Sequence, residues 1–261
     1  MGIVNVTPDS FSDGGHLCDA QAAIDHALKL QEAGADILDV GGESTRPGAA
    51  AVPADAEMRR VLPVIEALAH RGCVVSVDTM KPEVMRAALA AGAAMVNDVM
   101  ALRAPGAMDA VAESDAAVCL MHMQGAPRTM QQAPHYADVV DEVCQFLQDR
   151  VAACETAGID RARMAIDPGF GFGKTLAHNL ALLRHLDRLT EIGVPVLAGL
   201  SRKSMLGTLT GRNVDEREFA GVAAHLMAVA RGVKLVRVHD VAAMRDALAI
   251  WNAVEEQHDG T

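Results

Sequence analysis

The stretch "GIVNVTPDSFSDGG" (residues 2–15) joins a short β-branched run to a polar loop, and it separates two ways of building the fold. An open, doubly wound sheet that binds a dinucleotide carries a G-x-G-x-x-G fingerprint directly after its first strand. Here that place reads "NVTPDSFSDGG" (5–15), with glycines only at its end. The stretch therefore argues against the open sheet and favours a closed barrel.

The same unit of strand and helix recurs along the chain. Short apolar runs alternate with longer segments that have apolar residues at helical spacing, such as residues 20–34 and 141–158. The runs are "GIVNV" (2–6), "DILDV" (36–40), "CVVSVD" (73–78), "AMVND" (94–98), "AAVCLMH" (116–122), "RMAID" (163–167), "VPVLAGLS" (194–201) and "KLVRVH" (234–239). Helix C-termini are expected at Gly34, Gly72, Gly92, Gly158, Gly193 and Gly232. Eight units predict an α/β fold, a single (β/α)8 TIM barrel in one domain over residues 1–261.

Composition excludes several classes of function. A formal net charge of −11 argues against nucleic acid or an anionic membrane as a partner, because both require a basic face. The chain has no secretory h-region and no apolar run of about 18 residues that would span a bilayer. Its five cysteines show no CxxC spacing, which is typical of reduced core residues in a cytoplasmic protein.

The stretch "DPGFGFGKTLAHN" (167–179) looks like a phosphate loop but fails both known spacings. A P-loop ending at Gly173 and Lys174 would need its first glycine where Pro168 stands, and proline has no N–H to offer. The third glycine of a dinucleotide fingerprint would fall on Lys174. A P-loop NTPase is therefore excluded.

Polar residues interrupt the apolar runs at their C-terminal ends. They are Asn5, Asp39, Asp78, Asn97 with Asp98, His122, Asp167, Ser201 with Arg202 and Lys203, and Arg237 with His239. In a (β/α)8 barrel the active site forms at the rim where the strands end. Any one of these residues could instead cap the following helix. Eight such strand ends together predict an active site at this rim.

Charge and spacing at these ends indicate what the site would bind. Arg237 and His239 are two residues apart, so on a strand both would point to one face, which suits an anion; a surface ion pair is the alternative. Lys203 lies in a strand-to-helix turn whose free N–H groups would add positive potential. Asp78 and Asp167 end apolar strands and need cationic or N–H partners, which a ligand with amino and ring N–H groups would supply.

Two long loops, residues 7–15 and 41–49, are rich in Gly, Ser, Pro and Asp. We predict that they are mobile lids over the barrel mouth; plain solvent loops are the alternative. The histidines show no HExxH spacing, and "MHM" (121–123) is expected to pack at a strand end rather than to bind zinc. No GxSxG elbow of a serine hydrolase occurs.

Seven motifs in order resemble those of bacterial dihydropteroate synthases, from Gly2 to about residue 241. They are "GIVNVTPDSFSDGG" (2–15), "DVGGESTRPGA" (39–49), "SVDTMKPEV" (76–84), "VNDV" (96–99), "IDPGFGFGKTLAHN" (166–179), "LSRKSMLG" (200–207) and "VRVHDV" (236–241). The resemblance implies a transferase of folate biosynthesis. It would condense 6-hydroxymethyl-7,8-dihydropterin diphosphate with 4-aminobenzoate to 7,8-dihydropteroate and diphosphate.

The resemblance also implies the roles of individual residues. The pterin would be bound by Asp78, Asn97, Met121, Asp167, Phe172, Gly199 and Lys203. The diphosphate would be held by Asn5, Thr45, Arg46, Arg237 and His239. The 4-aminobenzoate site would comprise Phe11, Thr45, Arg46, Pro47, Phe172, Lys203 and Ser204. Asp78, Lys203, Arg237 and His239 would be the catalytic residues.

The implied cofactor is Mg²⁺, for which Asn5 would be the protein ligand, since this ion binds few protein groups beside substrate phosphates. We expect loss of diphosphate before attack of the aniline, because the positive charge of the methylene can spread into the pterin ring. Sulfonamides mimic 4-aminobenzoate and are expected to inhibit. A homodimer is the family precedent, and residues 218–232 are apolar enough to pack on a partner or to belong to the core.

Members of the family usually carry several residues before the stretch that begins here at Met1, and fraying of the first strand would displace Asn5. Two rival functions remain. A pterin-binding methyltransferase that serves a corrinoid would not need "STRPGA" (44–49) or Arg237 with His239. A pterin-binding homologue without catalysis would be expected to lose the lids and the anion site.

Overall fold

The computed structural model describes residues 1–6, 15–44, 48, 50–126 and 129–255, with the backbone alone for 15–19. Eight parallel strands alternate with helices through these ranges. The strands are β1 (Gly2–Asn5), β2 (Leu38–Gly41), β3 (Val75–Asp78), β4 (Met95–Asp98), β5 (Ala117–Met121), β6 (Met164–Asp167), β7 (Leu197–Ala198) and β8 (Leu235–Val236).

The strands follow one another around a ring. β1 to β6 form one parallel sheet in chain order, and β7 pairs with β8. Parallel bridges between Ile166 and Val196 and between Gly2 and Val238 join the edges of the two sheets. The (β/α)8 barrel expected from the sequence is confirmed, and the open doubly wound sheet is wrong.

The first strand is firmly paired. All four of its residues are in register with β2. The amino group of Met1 donates to the carbonyl of Val236 at 3.0 Å, and the Val238 N–H donates to the Met1 carbonyl at 3.0 Å. The fraying that would displace Asn5 does not occur.

The helices cover the outside of the barrel. They are α1 (Gly15–Glu32), α2 (Ala54–Ala69), α3 (Pro82–Ala90), α4 (Ala107–Ala112), α5 (Val139–Thr156), α6 (Leu176–Arg184), α7 (Asp187–Thr190), α8 (Ser204–Thr210), α9 (Glu218–Val229) and α10 (Val241–Glu255). Local sequence sets several starts: Asp138 caps α5 through its side chain, and Thr175 forms a capping box at α6. The six glycines expected at helix ends all have φ between 77° and 104°.

The two faces of the strands bury different sets of side chains. Val40, Val77 and Val96 face the helices and are fully buried in the large core between the strands and the helices. A separate apolar cluster consists of Met95, Cys119, Ala165 and Leu197, with Met1, Ile37, Ala117 and Leu235 packed against it. Because side chains alternate along a strand, this cluster occupies the other face of the strands, which is the interior of the barrel.

The last two strands are shorter than the sequence predicted. The runs at 194–201 and 234–239 contribute only two strand residues each. Pro195 has no N–H for the ladder, although its carbonyl accepts from the Ile166 N–H at 2.9 Å. Pairing nevertheless continues beyond β8, because the Arg237 N–H donates to the Ala198 carbonyl at 3.0 Å.

The glycine-rich segment after β6 lies against the segment after β5. Gly169 has φ of 68°, and a Cβ there would overlap the His122 carbonyl. Gly173 has φ of 63°, and a Cβ there would lie 2.7 Å from the Gln124 carbonyl oxygen. Gly169 and Gly173 therefore allow close packing of two backbone segments, whereas a Cβ on Gly171 would lie 3.3 Å from the Lys203 side chain.

Candidate active site

Polar side chains form a layer directly above the apolar cluster in the barrel. Asp39, Asn97, Asp167 and Arg237 each stand two residues beyond a member of that cluster or a side chain packed on it: Ile37, Met95, Ala165 and Leu235. A spacing of two keeps the side chain on the same face. Asp78 belongs to the same layer, because it is in register with Gly41 on one neighbouring strand and with Asn97 on the other. The C-terminal mouth of the barrel therefore holds a cluster of ionisable side chains, as the sequence predicted.

Arg237 is shared by two carboxylates. Its Nε donates to Asp39 Oδ2 at 2.5 Å, and an Nη nitrogen donates to Asp78 Oδ2 at 2.8 Å. Burial would lower the pKa of Arg237, but the carboxylates of Asp39 and Asp78 outweigh it, so the net shift is upward. The guanidinium stays cationic at every working pH.

Asp39 has a larger part in this cluster than sequence reasoning gave it. It is fully buried, and its Oδ2 also accepts from the Asn97 side-chain amide at 3.1 Å. Asp39 thus orients both Arg237 and Asn97. This orientation could have been predicted from the sequence, because Asp39 lies two residues after Ile37 and so points to the same interior face of the strand.

Asp78 keeps one oxygen unused. Its Oδ1 is buried and accepts no hydrogen bond from any residue in the described part of the chain. Burial raises the pKa of Asp78 to about 7, against the opposing charge of Arg237. An unpaired buried acceptor costs roughly 1–3 kcal/mol, so this oxygen is a natural recipient for an N–H of a ligand.

A second group surrounds Asp167. One oxygen of this buried carboxylate accepts from the Gly169 N–H at 2.7 Å, and burial raises its pKa despite that bond. Gly199 lies beside the other oxygen, and a Cβ built there would be 3.9 Å from it. Burial also lowers the pKa of Lys203 to about 8, with Asp167 opposing the shift.

Lys203 and Phe172 are in direct contact. The ammonium of Lys203 lies 4.2 Å from the centre of the Phe172 ring, which is a cation–π distance. Phe172 packs on the cluster of Val99, Met121, Met123 and Met130. The structure therefore joins three residues expected in the pterin pocket, Met121, Phe172 and Lys203, along one wall.

Other predicted residues have different neighbours. His239 Nδ1 lies 2.9 Å from the Ser201 hydroxyl, whereas Arg237 contacts the two carboxylates. Ser204 begins α8 and is exposed. Asn5 ends β1 in register with Gly41, the residue that separates it from Asp78.

Two of the polar residues at strand ends have local structural roles. Asp98 accepts from the Met100 and Leu102 N–H groups at 2.8 and 2.7 Å, and it shapes the turn after β4. His122 is buried and hydrogen bonded to Lys174. For these two, the cap or packing alternative weighed from the sequence holds.

The stem of the loop after β2 is anchored by an ion-pair network. Lys81, in the turn after β3, bridges Glu43 and the fully buried Glu57. Glu43 also accepts from the Val52 N–H at 3.0 Å. The predicted residues Phe11, Thr45, Arg46 and Pro47, and most of the two predicted lid loops, lie outside the described residues.

Metal and membrane features are sparse. Within the described ranges, no group of three or more His, Cys, Asp or Glu could hold a metal ion. Asn5, the last residue of β1, offers an amide oxygen at the rim, which suits an ion that arrives with substrate phosphates. No helix among the described residues is long and apolar enough to cross a membrane.

The family model described as "Pterin binding enzyme" matches residues 1–239. The chain belongs to this family. Among curated members of the pterin-binding family, dihydropteroate synthase of Escherichia coli strain K12 is 49% identical over 254 residues, which cover 97% of this chain and 90% of that protein.

Solved structures of pterin-binding enzymes have the same fold. Dihydropteroate synthase of Xanthomonas albilineans with 4-aminobenzoic acid is 62% identical, with a TM-score of 0.92, over 97% of this chain and 92% of that one. Its complex with 7,8-dihydropteroate aligns with a TM-score of 0.88 and 59% identity over the same shares. The Yersinia pestis enzyme in a sulfonamide drug complex is 46% identical, with a TM-score of 0.93, over 98% and 93% of the two chains.

Proposed function

We propose that the protein condenses 6-hydroxymethyl-7,8-dihydropterin diphosphate with 4-aminobenzoate to give 7,8-dihydropteroate and diphosphate. The observation that carries the proposal is the layer of Asp39, Asp78, Asn97, Asp167 and Arg237 inside the barrel mouth. It occurs in a chain about half identical to a dihydropteroate synthase over nearly its full length.

Recognition of the pterin follows from the donors and acceptors of this layer. Asp167 and Asn97 would read the pyrimidine edge, and Lys203 would reach a ring oxygen or nitrogen. A carboxylate accepts only, so Asp167 matches the amino and ring N–H groups of a pterin. Met121 and Phe172 would pack against its flat ring, and Gly199 would leave room beside Asp167.

The reaction needs no nucleophilic side chain. The bond between the pterin methylene and the diphosphate oxygen breaks, and its electron pair leaves with the diphosphate. The amine nitrogen of 4-aminobenzoate then forms the new C–N bond and loses a proton to solvent. The site must therefore stabilise a departing anion and a pterin cation together.

Fixed charges of this chain suit both demands. Arg237 with His239 would hold the leaving diphosphate, and Asn5, Thr45 and Arg46 would add contacts. Asp78 would stabilise the cation through its unpaired oxygen. Because hydrogen bonds already orient Arg237, Asp78 and His239, these three groups need little reorganisation when charge develops.

The second substrate would bind beside Phe172 and Lys203. Phe11, Thr45, Arg46 and Pro47 would close over it, and its carboxylate would lie near Ser204 at the start of α8. Sulfonamides would compete for this place, because they mimic 4-aminobenzoate. The sulfonamide complex of the Yersinia pestis relative supports that expectation.

Mg²⁺ is the proposed cofactor, and Asn5 is the proposed protein ligand. When bound, the ion would neutralise part of the diphosphate charge and make it a better leaving group.

We also propose a cytoplasmic homodimer in which residues 1–261 form one domain. Six of the seven large apolar side chains that are exposed in the described part of the chain lie on or beside α8, α9 and α10: Leu209, Val214, Phe219, Met227, Ile250 and Val254. Phe219 is the most exposed of these side chains, at 83%. Exposed apolar side chains of this kind are typical of protein contacts, so Phe219→Glu should shift sedimentation from dimer to monomer.

The cytoplasmic location is supported by the cysteines. The described ones, Cys73, Cys119, Cys144 and Cys154, are free thiols, as expected in a reducing compartment.

The deciding experiment is synthesis. Purified protein is incubated with the pterin diphosphate, labelled 4-aminobenzoate and Mg²⁺, and we expect labelled dihydropteroate with one diphosphate released per product. Chelation of Mg²⁺ should stop the reaction. Pterin binding without product would favour the rival methyltransferase or a non-catalytic homologue.

A matched pair of variants tests the pterin pocket without turnover. Asp167 and Asp160 lie at opposite ends of the β6 region, and Asp160 only caps a short 3-10 turn. Asp167→Asn should weaken calorimetric binding of the pterin diphosphate by about 10- to 100-fold, the value of a charged hydrogen bond. Asp160→Asn should leave this affinity unchanged. Equal affinities in the two variants would remove Asp167 from the pocket.

A further inference from the structure

Lys174 is the lysine of the segment that resembles a phosphate loop, yet its ammonium points into the protein. The residue is 3% exposed. Its Nζ lies 2.9 Å from His122 Nδ1 and donates to the carbonyls of His122 at 3.3 Å and Phe172 at 3.0 Å. The lysine therefore ties the segment after β5 to the segment after β6.

Every N–H of the ammonium has an acceptor, but no described carboxylate is hydrogen bonded to it. Burial lowers the pKa of Lys174 to about 7, with Asp167 opposing the shift. Burial, with the charge of Lys174, also lowers the pKa of His122 to about 3, so the neutral ring can accept through Nδ1. Burying a lysine without a paired carboxylate costs free energy of folding. The three hydrogen-bonding contacts of Lys174 show which two segments it connects.

One of those contacts is the backbone of Phe172. The ring of Phe172 lies under the Lys203 ammonium at 4.2 Å. Holding the Phe172 carbonyl thus fixes where its ring meets Lys203. The Phe172 N–H also donates to the Gly169 carbonyl at 3.1 Å, but that bond stays within the glycine-rich segment, whereas Lys174 ties Phe172 to the segment after β5. Two neighbouring bonds hold other residues: the Tyr136 hydroxyl donates to the Gly173 carbonyl at 2.8 Å, and the Gly171 N–H donates to Asn179 at 2.8 Å.

We infer that Lys174 is a positioning residue that sets the place of Phe172, and through it the wall that Phe172 and Lys203 present to 4-aminobenzoate. The inference rests on the proposed function for the identity of that substrate. In the proposed pocket the pterin would also contact Asp78, Asn97 and Asp167, whereas the smaller aromatic acid would depend more on this wall.

The test compares Lys174→Met with Arg163→Met. Methionine has a similar reach and cannot donate. Arg163 donates to the Ser114 carbonyl between the same two βα units, at the opposite end of the barrel. Lys174→Met should raise the KM for 4-aminobenzoate, and its calorimetric Kd, about tenfold. The KM for the pterin diphosphate should change less than about threefold, and Arg163→Met should change neither.

A double variant shows whether Lys174 acts through Phe172. In the Phe172→Ala background, Lys174→Met should change the affinity for 4-aminobenzoate less than about twofold, because its route of action is gone. Full additivity would overturn the inference, and so would a folded Lys174→Met with wild-type affinity for 4-aminobenzoate. If the methionine variant does not fold, Lys174→Gln takes its place.

The two proposals fail in different ways. Wild-type protein that makes no dihydropteroate would overturn the proposed function. The calorimetric Kd for 4-aminobenzoate tests the positioning role independently of turnover.

Discussion

Two layers of side chains inside the barrel, two residues apart on the same strands, differ completely in chemistry. The lower layer is apolar and includes Met95, Cys119, Ala165 and Leu197. The upper layer is polar, and Arg237 links two of its three carboxylates, those of Asp39 and Asp78. The side chains that pack the barrel interior and the side chains that would bind a ligand are therefore only two residues apart along each strand, which is one repeat of the side-chain alternation. The lower layer can stabilise the fold while the upper layer holds charges that a core would not tolerate.

Substitution of Arg237, in the upper layer, should lower turnover more than any substitution in the lower layer. In Arg237→Met the carboxylates of Asp39 and Asp78 lose their shared cation. We expect the free energy of unfolding to fall by roughly 3 kcal/mol. Turnover should fall by about a thousandfold or more, since the leaving anion loses its main charge partner. Urea unfolding and a diphosphate-release assay measure the two effects.

Diphosphate affinity is the critical readout for this variant. Binding of inorganic diphosphate with wild-type affinity would mean that the anion site lies elsewhere. The lower-layer variant Leu197→Ala serves as the control for general loosening of the barrel.

Asp78 and Asp98 allow a comparison between two faces of neighbouring strands. Desolvation raises the pKa of both carboxyl groups, to about 7 for Asp78 and about 6 for Asp98. Asp78 faces the mouth, whereas Asp98 holds a turn. Asp78→Asn should lower kcat by roughly 100-fold, because the cation loses its partner. Asp98→Asn should lower the melting temperature while kcat stays within about threefold of wild type. Near-normal turnover in Asp78→Asn would remove its cation-stabilising role.

The raised pKa of Asp78 predicts a pH profile. The carboxylate needed for catalysis forms as the pH rises through about 7, so kcat/KM for the pterin diphosphate should fall about tenfold for each pH unit below 7.

The free energy of unfolding should change in the opposite direction, because the folded protein prefers the protonated form of Asp78. Between about pH 4 and 7 the folded protein binds a proton that the unfolded chain has released, so this contribution is lost as the pH rises through about 7. Comparison of wild type with Asp78→Asn across pH 5 to 9 isolates both effects; a profile that keeps the same break in the variant would assign it to another group.

The smallest effect on catalysis is expected in the lower layer. Leu197 is fully buried there. Leu197→Ala should lower the free energy of unfolding by about 2–5 kcal/mol through cavity formation. KM for both substrates should stay within about twofold, measured well below the melting temperature. A large change in either KM would show that the two layers are not separable.

Much of the fold was accessible from the sequence. The eight apolar runs became the eight strands, and the glycines after the helices adopt left-handed conformations, because both depend on local spacing and backbone sterics. The ends of β7 and β8 were less predictable, since hydrogen bonds to neighbouring strands set where a strand stops.

The site was accessible in part. Polar residues at strand ends converge at the mouth, and the resemblance assigned Asp78 but not Asp98 to the site. The residues alone did not show that Asp98 holds the turn after β4. The sequence also placed Asp39 at the rim without an individual role, and it gave Lys174 no role. Their partners are distant in sequence: Asp39 contacts Arg237, and Lys174 contacts His122.

The sequence by itself determined the strand and helix pattern, the phase of each strand, the exclusion of a nucleotide loop at Pro168, and the resemblance to pterin-binding enzymes. Only the tertiary structure decided which charges neutralise one another and which buried carboxylate oxygens, Asp78 Oδ1 among them, accept no hydrogen bond from the described residues. The physical reason is range. Spacing and sterics act over a few residues, whereas the ion pair of Asp39 and Arg237 joins residues 198 positions apart and forms only when the barrel closes.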